Sequence, residues 1–151
     1  MVGQNQTAFS HQSVCVSDRT RSLKFYSEAL GFTLSHSLDI GPECEGITEL
    51  KGIKSAADFM TLGPMQIELL SYESPPVTGP ATRRPMNQLG LTHLSFTVTS
   101  IADAIARIEA CGGEALPGTR LATPQGDLIF CTDPDGVRIE LWEKTDPACA
   151  R

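Results

Sequence analysis

The sequence lacks the features that mark membrane and exported proteins. None of its 151 residues lie in an apolar run approaching the roughly 20 residues that a membrane-spanning helix needs. Met1 to Ser10 contain neither a cationic region nor an apolar stretch, so we expect no secretory signal. These absences predict a cytoplasmic protein that does not insert into a membrane.

The cysteines show neither an even number nor a metal-binding spacing. No Cys-x-x-Cys pair is present, which argues against a zinc knuckle, and an odd number argues against a disulfide framework. We expect free thiols that pack in the structure, as in a reducing cytosol. The five cysteines are Cys15, Cys44, Cys111, Cys131 and Cys149.

Positive charge is also scarce. Twelve Lys and Arg stand against 18 Asp and Glu, for a net charge of −6, and the basic residues are scattered along the chain. This composition argues against nucleic-acid binding, which needs a basic face. It leaves room for an anionic small molecule, because one or two local cations are enough to bind one.

What the sequence does contain is a pattern used twice. The stretches 91–98 and 136–143 alternate apolar and polar residues, as half-buried strands do, and they place His93 and Glu140 on polar faces. His11 and Glu68 occupy the same kind of position earlier in the chain. Each half therefore offers one imidazole and one carboxylate.

Constant spacings support a repeat. His11 and His93 are 82 positions apart, and the same offset links Val16 with Val98 and Gly31 with Gly113. Glu68 and Glu140 are 72 positions apart, so the first copy is longer, and a polar excursion at 41–54 accounts for the difference.

Each copy is predicted to be strand–helix–strand–strand–strand. Ser17-Asp18 and Ser100 are expected N-caps, and glycines follow both predicted helices. We predict an α+β fold in one domain, 1–151, with two tandem βαβββ modules that form a curled mixed sheet around a metal-binding cleft. Module 1 covers about 7–73, a proline-containing linker 74–89, and module 2 about 90–144.

The four repeated polar residues predict a metal site. Two imidazoles and two carboxylates suit one divalent ion per site, namely Ni, Co, Mn, Zn or Fe. Such an ion would act as a Lewis acid on a substrate carbonyl, and a nearby carboxylate, from Glu68 or Glu140, would move a proton through an enolate. The predicted ligands are His11, Glu68, His93 and Glu140.

Several short motifs together resemble the vicinal oxygen chelate superfamily, which contains glyoxalases, bleomycin-resistance proteins and extradiol dioxygenases. They are Phe25-Tyr26 followed by Leu30-Gly31-Phe32, Leu89-Gly90-Leu91-Thr92-His93, and Asp133-Pro134-Asp135-Gly136 leading to Glu140-Leu141. The resemblance implies paired βαβββ modules, the same four metal positions and a homodimer.

Within that superfamily the ligand set is similar to glyoxalase I and to methylmalonyl-CoA epimerase. Cys15 and Tyr72 stand where glyoxalase I has the Arg and Asn that hold glutathione, which argues against a glutathione substrate. The resemblance therefore favours a metal-dependent isomerase, lyase or epimerase that acts on a small carbonyl compound or a CoA-type thioester.

Two other functions remain open from the sequence. An Fe(II) extradiol dioxygenase would use two His and one Glu, and Glu68 would then obstruct the substrate's position. A metal-free protein that sequesters a drug, as bleomycin-resistance proteins do, would not need the four ligands.

Weaker candidates for substrate contacts are Arg83, Arg84, Tyr72 and Trp142. The two arginines are explained most simply as solvated linker residues. Their functional alternative is a clamp for a substrate carboxylate or a coenzyme phosphate. His36 receives no role.

Overall fold

A computed structural model describes residues 7–145, which form eight strands and a few helices. The strands are β1 (Gln12–Val16), β2 (Thr33–Ile40), β3 (Lys54–Leu62), β4 (Met65–Ser74), β5 (His93–Val98), β6 (Glu114–Thr123), β7 (Gly126–Thr132) and β8 (Arg138–Lys144). The helices are α1 (Arg19–Lys24), continued by a π-helical turn at Phe25–Ala29, then a 3₁₀ turn at Pro42–Cys44 running into α2 (Glu45–Thr48), and α3 (Ile101–Ala110).

The two halves have the same topology. One mixed four-stranded sheet has the order β1-β4-β3-β2, and the other has the order β5-β8-β7-β6. In each sheet the first strand pairs parallel with the last, and the other pairs are antiparallel. The predicted α+β fold with repeated βαβββ modules is confirmed, each module having its own curled sheet.

The helical segment of module 1, α1 with its π-helical turn, is one residue longer than α3 of module 2. Asp18 caps α1 and Ser100 caps α3, as the sequence predicted in both places. The left-handed residue after each helix is Gly31 and Gly112, so the structural partner of Gly31 is not Gly113. The π-helical turn accommodates the extra residue of module 1, because such a turn inserts one residue into a helix.

Both sheets bury their apolar faces in one core. The buried cluster includes Ile67 and Leu69 from β4 and Ile139 and Leu141 from β8, each at most 1 % exposed. Both helices contribute to the same cluster, and the rings of Phe32 and Phe96 meet edge to face across it at 6.0 Å. This shared core fixes how the two modules sit relative to each other.

A polar clasp also joins the modules. Asp135, in the turn before β8, accepts hydrogen bonds from the amide of Ser17 at 2.9 Å and from the guanidinium of Arg21 at 2.6 Å. The buried carboxyl of Asp133 accepts the hydroxyl of Tyr26 at 3.1 Å. The predicted Asp-Pro-Asp-Gly turn therefore holds the first helix of the other module as well as connecting two strands.

The described cysteines are all free, as expected, and Cys149 lies outside the described residues. Burial raises the pKa of the Cys131 thiol to about 11, and it also raises the pKa of Cys15. Protonated thiols are poor nucleophiles, so packing explains the buried Cys131 better than catalysis, whereas Cys15 is exposed. Among residues 7–145, no helix is long and apolar enough to cross a membrane.

Candidate metal centre

The first His–Glu pair lies on the outer face of sheet 1. His11 directly precedes β1, and Glu68 lies on β4 opposite Ser13 of β1. Nε2 of His11 is 3.4 Å from Oε2 of Glu68, and Ser13 donates its hydroxyl to that same oxygen. The side chains of His11 and Glu68 are 31 % and 14 % exposed, so both can be reached from solvent.

The second pair repeats this arrangement on sheet 2. Glu140 of β8 lies opposite Ser95 of β5, and Ser95 follows His93 by two residues. Nε2 of His93 is 3.8 Å from Oε2 of Glu140, and Ser95 donates its hydroxyl to that oxygen at 2.6 Å. Parallel pairing of the first and last strand thus places His, Ser and Glu together in both modules.

A hydroxyl also occupies the other nitrogen of each imidazole. Ser10 Oγ lies 2.9 Å from Nδ1 of His11, and Thr92 Oγ1 lies 3.0 Å from Nδ1 of His93. A partner on Nδ1 fixes the ring orientation, and with Nδ1–H as the donor it leaves the lone pair of Nε2 on the side of the carboxylate. This is the arrangement in which histidine binds a metal ion.

One phenylalanine supports each histidine. Phe59 of β3 meets His11 edge to face at 5.3 Å, and Phe130 of β7 meets His93 in the same way at 5.2 Å. His36 stacks on the Phe59 ring at 4.6 Å, so it belongs to the surroundings of the first pair although the sequence gave it no role. Both rings restrict the movement of the histidine beside them.

Each pair fits half of a metal site. Bonds from a divalent ion to His nitrogen and carboxylate oxygen are about 2.0–2.2 Å long, so two atoms bound to one ion lie about 3–4 Å apart. The separations of 3.4 and 3.8 Å agree with this. Two ligands are too few for a tight site, however, and within residues 7–145 no three His, Cys, Asp or Glu side chains group to hold an ion.

Within residues 7–145 the four predicted ligands do not form one group in a single chain, and the sequence leaves open whether a site forms within one chain or across a dimer. Glu68 lies between Ile67 and Leu69, and Glu140 lies between Ile139 and Leu141. Those apolar neighbours are buried in the shared core, and successive residues of a strand point to opposite faces. Each pair therefore lies on the face of its sheet that points away from the core, and Ser13 beside the first pair and His93 of the second line the same cleft.

The weaker candidates are divided between different surfaces. Tyr72 follows Glu68 on the same face of β4, and Trp142 follows Glu140 on the same face of β8. Burial, and then the charges of Cys15 and Glu68, raises the pKa of Tyr72. The Trp142 indole nitrogen is buried without a hydrogen-bond partner among the described residues, and Lys144 lies over its ring at 4.6 Å.

The two linker arginines separate. Arg84 lines a cleft of about 310 Å³ between β1, the start of β5 and the Asp135–Arg138 segment, and His93 lines the same cleft. Arg83 lines a neighbouring depression instead. Arg138 also faces the cleft, and its pKa is lowered by burial and then by repulsion from Arg83.

Sequence reasoning missed the hydroxyls, the phenylalanines and Arg138. The hydroxyls had a signal, because Ser10-His11-Gln12-Ser13 and Thr92-His93-Leu94-Ser95 share a hydroxyl-His-x-Ser pattern at the offset of 82. The phenylalanines had none, because their place beside the histidines depends on the pairing of β3 with β4 and of β7 with β8.

Comparison with known proteins agrees with this repeated architecture. The sequence profile of the Glyoxalase/Bleomycin resistance protein/Dioxygenase superfamily matches residues 8–141. The uncharacterized Escherichia coli protein YaeR is 31 % identical over 146 residues, which are 95 % of this chain and 100 % of that protein. A lactoylglutathione lyase from Salmonella typhimurium is 32 % identical over 143 residues, covering 90 % of this chain and 92 % of the lyase.

A solved structure shows the same fold. The glyoxalase family protein from Bacillus cereus superimposes with a TM-score of 0.84 and 21 % identity, covering 97 % of this chain and 99 % of that one.

Proposed function

The chain belongs to the glyoxalase/bleomycin resistance protein/dioxygenase superfamily, and from that premise we propose that it is a divalent-metal-dependent isomerase or lyase. Its substrate would be a small carbonyl compound or a thioester. The reaction would move a proton at the carbon beside the carbonyl, through an enolate.

One observation carries this proposal: the His–Glu pair occurs twice with the same supporting atoms. In both modules a hydroxyl faces Nδ1 of the histidine, a serine hydroxyl binds the glutamate and a phenylalanine packs on the imidazole. A histidine that served only the fold would not need this arrangement at two positions 82 residues apart.

Each residue of the site would have a defined role in the reaction. When bound, a divalent ion supplies Lewis-acid polarisation of a substrate carbonyl. His11 and His93 would hold that ion with Nε2, together with the two carboxylates. Glu68 or Glu140 would accept the proton from the substrate carbon and return it, because both carboxylates remain partly open to solvent.

A complete site requires two copies of the chain. One pair supplies two protein ligands, and within residues 7–145 no third His, Cys, Asp or Glu joins either pair. We propose a homodimer in which module 1 of one chain faces module 2 of the other, so that each of two sites contains all four ligands. A two-fold axis generates both sites from one contact.

The relative named lactoylglutathione lyase supports this reaction class, but the substrate would differ. Cys15 and Tyr72 occupy the positions at which the glyoxalase I resemblance leads us to expect glutathione-binding residues, and the pKa values of both are raised rather than lowered. A substrate other than a glutathione adduct therefore fits these two positions better.

Mixing two disabled chains tests the proposal directly. One variant carries His11→Ala and Glu68→Ala, and the other carries His93→Ala and Glu140→Ala. Co-expression gives mixed dimers in which one of the two sites is intact, so the mixture should bind about a quarter of the wild-type metal. Metal content, measured after purification without chelators, is the first readout, and solvent deuterium exchange into 2-keto acids and CoA thioesters is the second.

Four outcomes separate the possibilities. Wild-type protein should hold about one ion per chain, and each variant alone should hold little. If the mixture also holds none, the ligands meet within one chain and the proposed dimer is wrong. If wild-type protein binds no divalent ion under any loading condition, the enzyme proposal fails and a metal-free binding protein is favoured; bound iron with oxygen uptake on catechols would favour a dioxygenase.

A further inference from the structure

Three neighbouring arginines, two of which line the cleft with His93, have no acidic partner among residues 7–145. Arg83, Arg84 and Arg138 make no ion pair within residues 7–145, whereas Arg19, Arg21 and Arg120 each pair with an aspartate. Asp135 also lines the cleft, but its carboxylate is bound by Arg21 and Ser17 and makes no ion pair with Arg84 or Arg138.

Two of these arginines are held in place by backbone groups. Arg138 donates from Nε and Nη2 to the carbonyl oxygen of Arg84, at 3.3 and 3.0 Å. Arg84 in turn donates from Nη2 to the carbonyl oxygen of Leu89 at 2.7 Å. These bonds position both guanidiniums at the cleft while leaving Nη1 of each without a partner among the described residues.

Arg138 is also coupled to a proposed metal ligand. It pairs with His93 in the register of β5 and β8, and it precedes Glu140 by two residues on the same face of β8. Its guanidinium lies 5.7 Å from the centre of the Phe130 ring, the same ring that packs against His93. Two residues of a strand span about 7 Å, so the backbone positions of Arg138 and the proposed metal ligand Glu140 are separated by roughly the length of a small molecule.

At the two matching positions the described part of the first module has no cation. The residue two positions before Glu68 is Gln66, and the ring of Phe59 is covered by His36 instead of an arginine. The four ligands are alike in the two modules, so they cannot orient a substrate by themselves. The arginines make the module 2 side of the site positive.

We propose that this cleft binds the acidic group of the substrate, a carboxylate or a phosphate, through Arg84 and Arg138. The inference rests on the proposed function, since it names the substrate class of the same site. The free Nη1 of each arginine can donate a charge-assisted hydrogen bond to an oxygen of either group. The substrate is then an anionic carbonyl compound whose charged end lies toward module 2.

Binding of simple anions to metal-free protein tests this separately from metal chemistry. Isothermal titration with malonate and with inorganic phosphate should show saturable binding that weakens as salt is raised. Arg84→Gln and Arg138→Gln should each weaken it about tenfold or more, because each removes a charge-assisted hydrogen bond. Comparing the two probes distinguishes carboxylate from phosphate recognition.

One control removes an arginine outside the cleft, and the other keeps the positive charge inside it. Arg120→Gln removes an exposed arginine of the same module that pairs with Asp127 and does not line the cleft, so anion affinity should stay unchanged. Arg138→Lys keeps the charge and should retain part of the affinity. Metal content should remain at the wild-type level in Arg84→Gln, which shows that the variant folds.

Anion binding that is absent from the wild type, or unchanged in Arg84→Gln and Arg138→Gln, would overturn the inference while leaving the metal proposal intact. A shift of both variants from dimer to monomer, without anion binding by the wild type, would also overturn it. It would mean that acidic residues of a second chain neutralise these arginines. If the wild-type protein binds no divalent metal, the proposed function is rejected instead.

Discussion

Ser95 donates its hydroxyl to Oε2 of Glu140, the same carboxylate oxygen that faces Nε2 of His93. Ser13 makes the equivalent contact to Glu68 beside His11. A side chain as long as glutamate has many rotamers in solution, and a hydrogen bond from the neighbouring strand selects one of them. The carboxylates are thereby held beside the imidazoles before any ligand is present.

Removing this hydroxyl should weaken metal binding without unfolding the protein. For Ser13→Ala and Ser95→Ala we expect a loss of about 10–100-fold in metal affinity, the usual effect of losing a group that orients a ligand. Competition with a chelating dye measures it. Ser35→Ala, which removes a hydroxyl beside the non-ligand His36, is the matched control and should leave the affinity unchanged. Equal affinity in all three variants would show that the serines do not orient the glutamates.

The buried carboxyl of Asp133 predicts a pH-dependent stability. Burial, only partly offset by hydrogen bonds from two backbone amides and Tyr26, raises its pKa to about 6 from an ordinary 3.8. The folded state therefore favours the protonated form. Its contribution is fully present below pH 3.8 and is lost as the pH rises through 6, to a total of roughly 3 kcal/mol.

Asp133→Asn should remove that dependence. The amide can accept from the same backbone groups and donate to Tyr26 without placing a charge in the core. We expect the variant to gain stability over the wild type between pH 4 and pH 7, as measured by urea unfolding at each pH. Asp127→Asn, at a partly exposed carboxylate paired with Arg120, should follow the wild-type profile. A constant difference between wild type and Asp133→Asn at every pH would contradict the assignment.

Two glycines of left-handed conformation form a matched pair for a packing test. Gly63 has φ +56° and Gly136 has φ +86°, but a Cβ at Gly63 would meet nothing within 4 Å. A Cβ at Gly136 would lie 2.5 Å from the carbonyl carbon of Thr82 in the linker. Gly63→Ala should cost only the backbone strain, about 1–2 kcal/mol.

Gly136→Ala should cost a further 1–3 kcal/mol or so, because the linker must move away from the turn. Equilibrium unfolding in urea gives both values. If the two variants are equally stable, the linker is not packed against the Asp-Pro-Asp-Gly turn as the structure has it.

The sequence predicted the topology well because topology here follows from local patterns. Local interactions explain the alternation around His93 and Glu140 and the caps Asp18 and Ser100. The repeat explains the constant offset of 82 residues. The same patterns specify which side chains share a face of a strand, so they predicted each His–Glu pair. They contain no information on how one module packs against the other.

Sequence reasoning could not predict how the two modules pack against each other. Apolar faces of both sheets were recognisable, but a face can be buried against the other module of the same chain or against another chain. The structure buries Ile67 and Ile139 in one core, which leaves Glu68 and Glu140 on the faces of their own sheets that point away from it. The roles of Arg138 and Phe130 also depend on contacts between strands that are distant in sequence.

The shared core also constrains how such a protein can be inherited. Each module needs the other to cover its apolar face, so a half-gene encoding only one sheet and its helix would expose that face to water. Separating the two halves would therefore remove that burial, while substitutions on the faces away from the core would leave it intact.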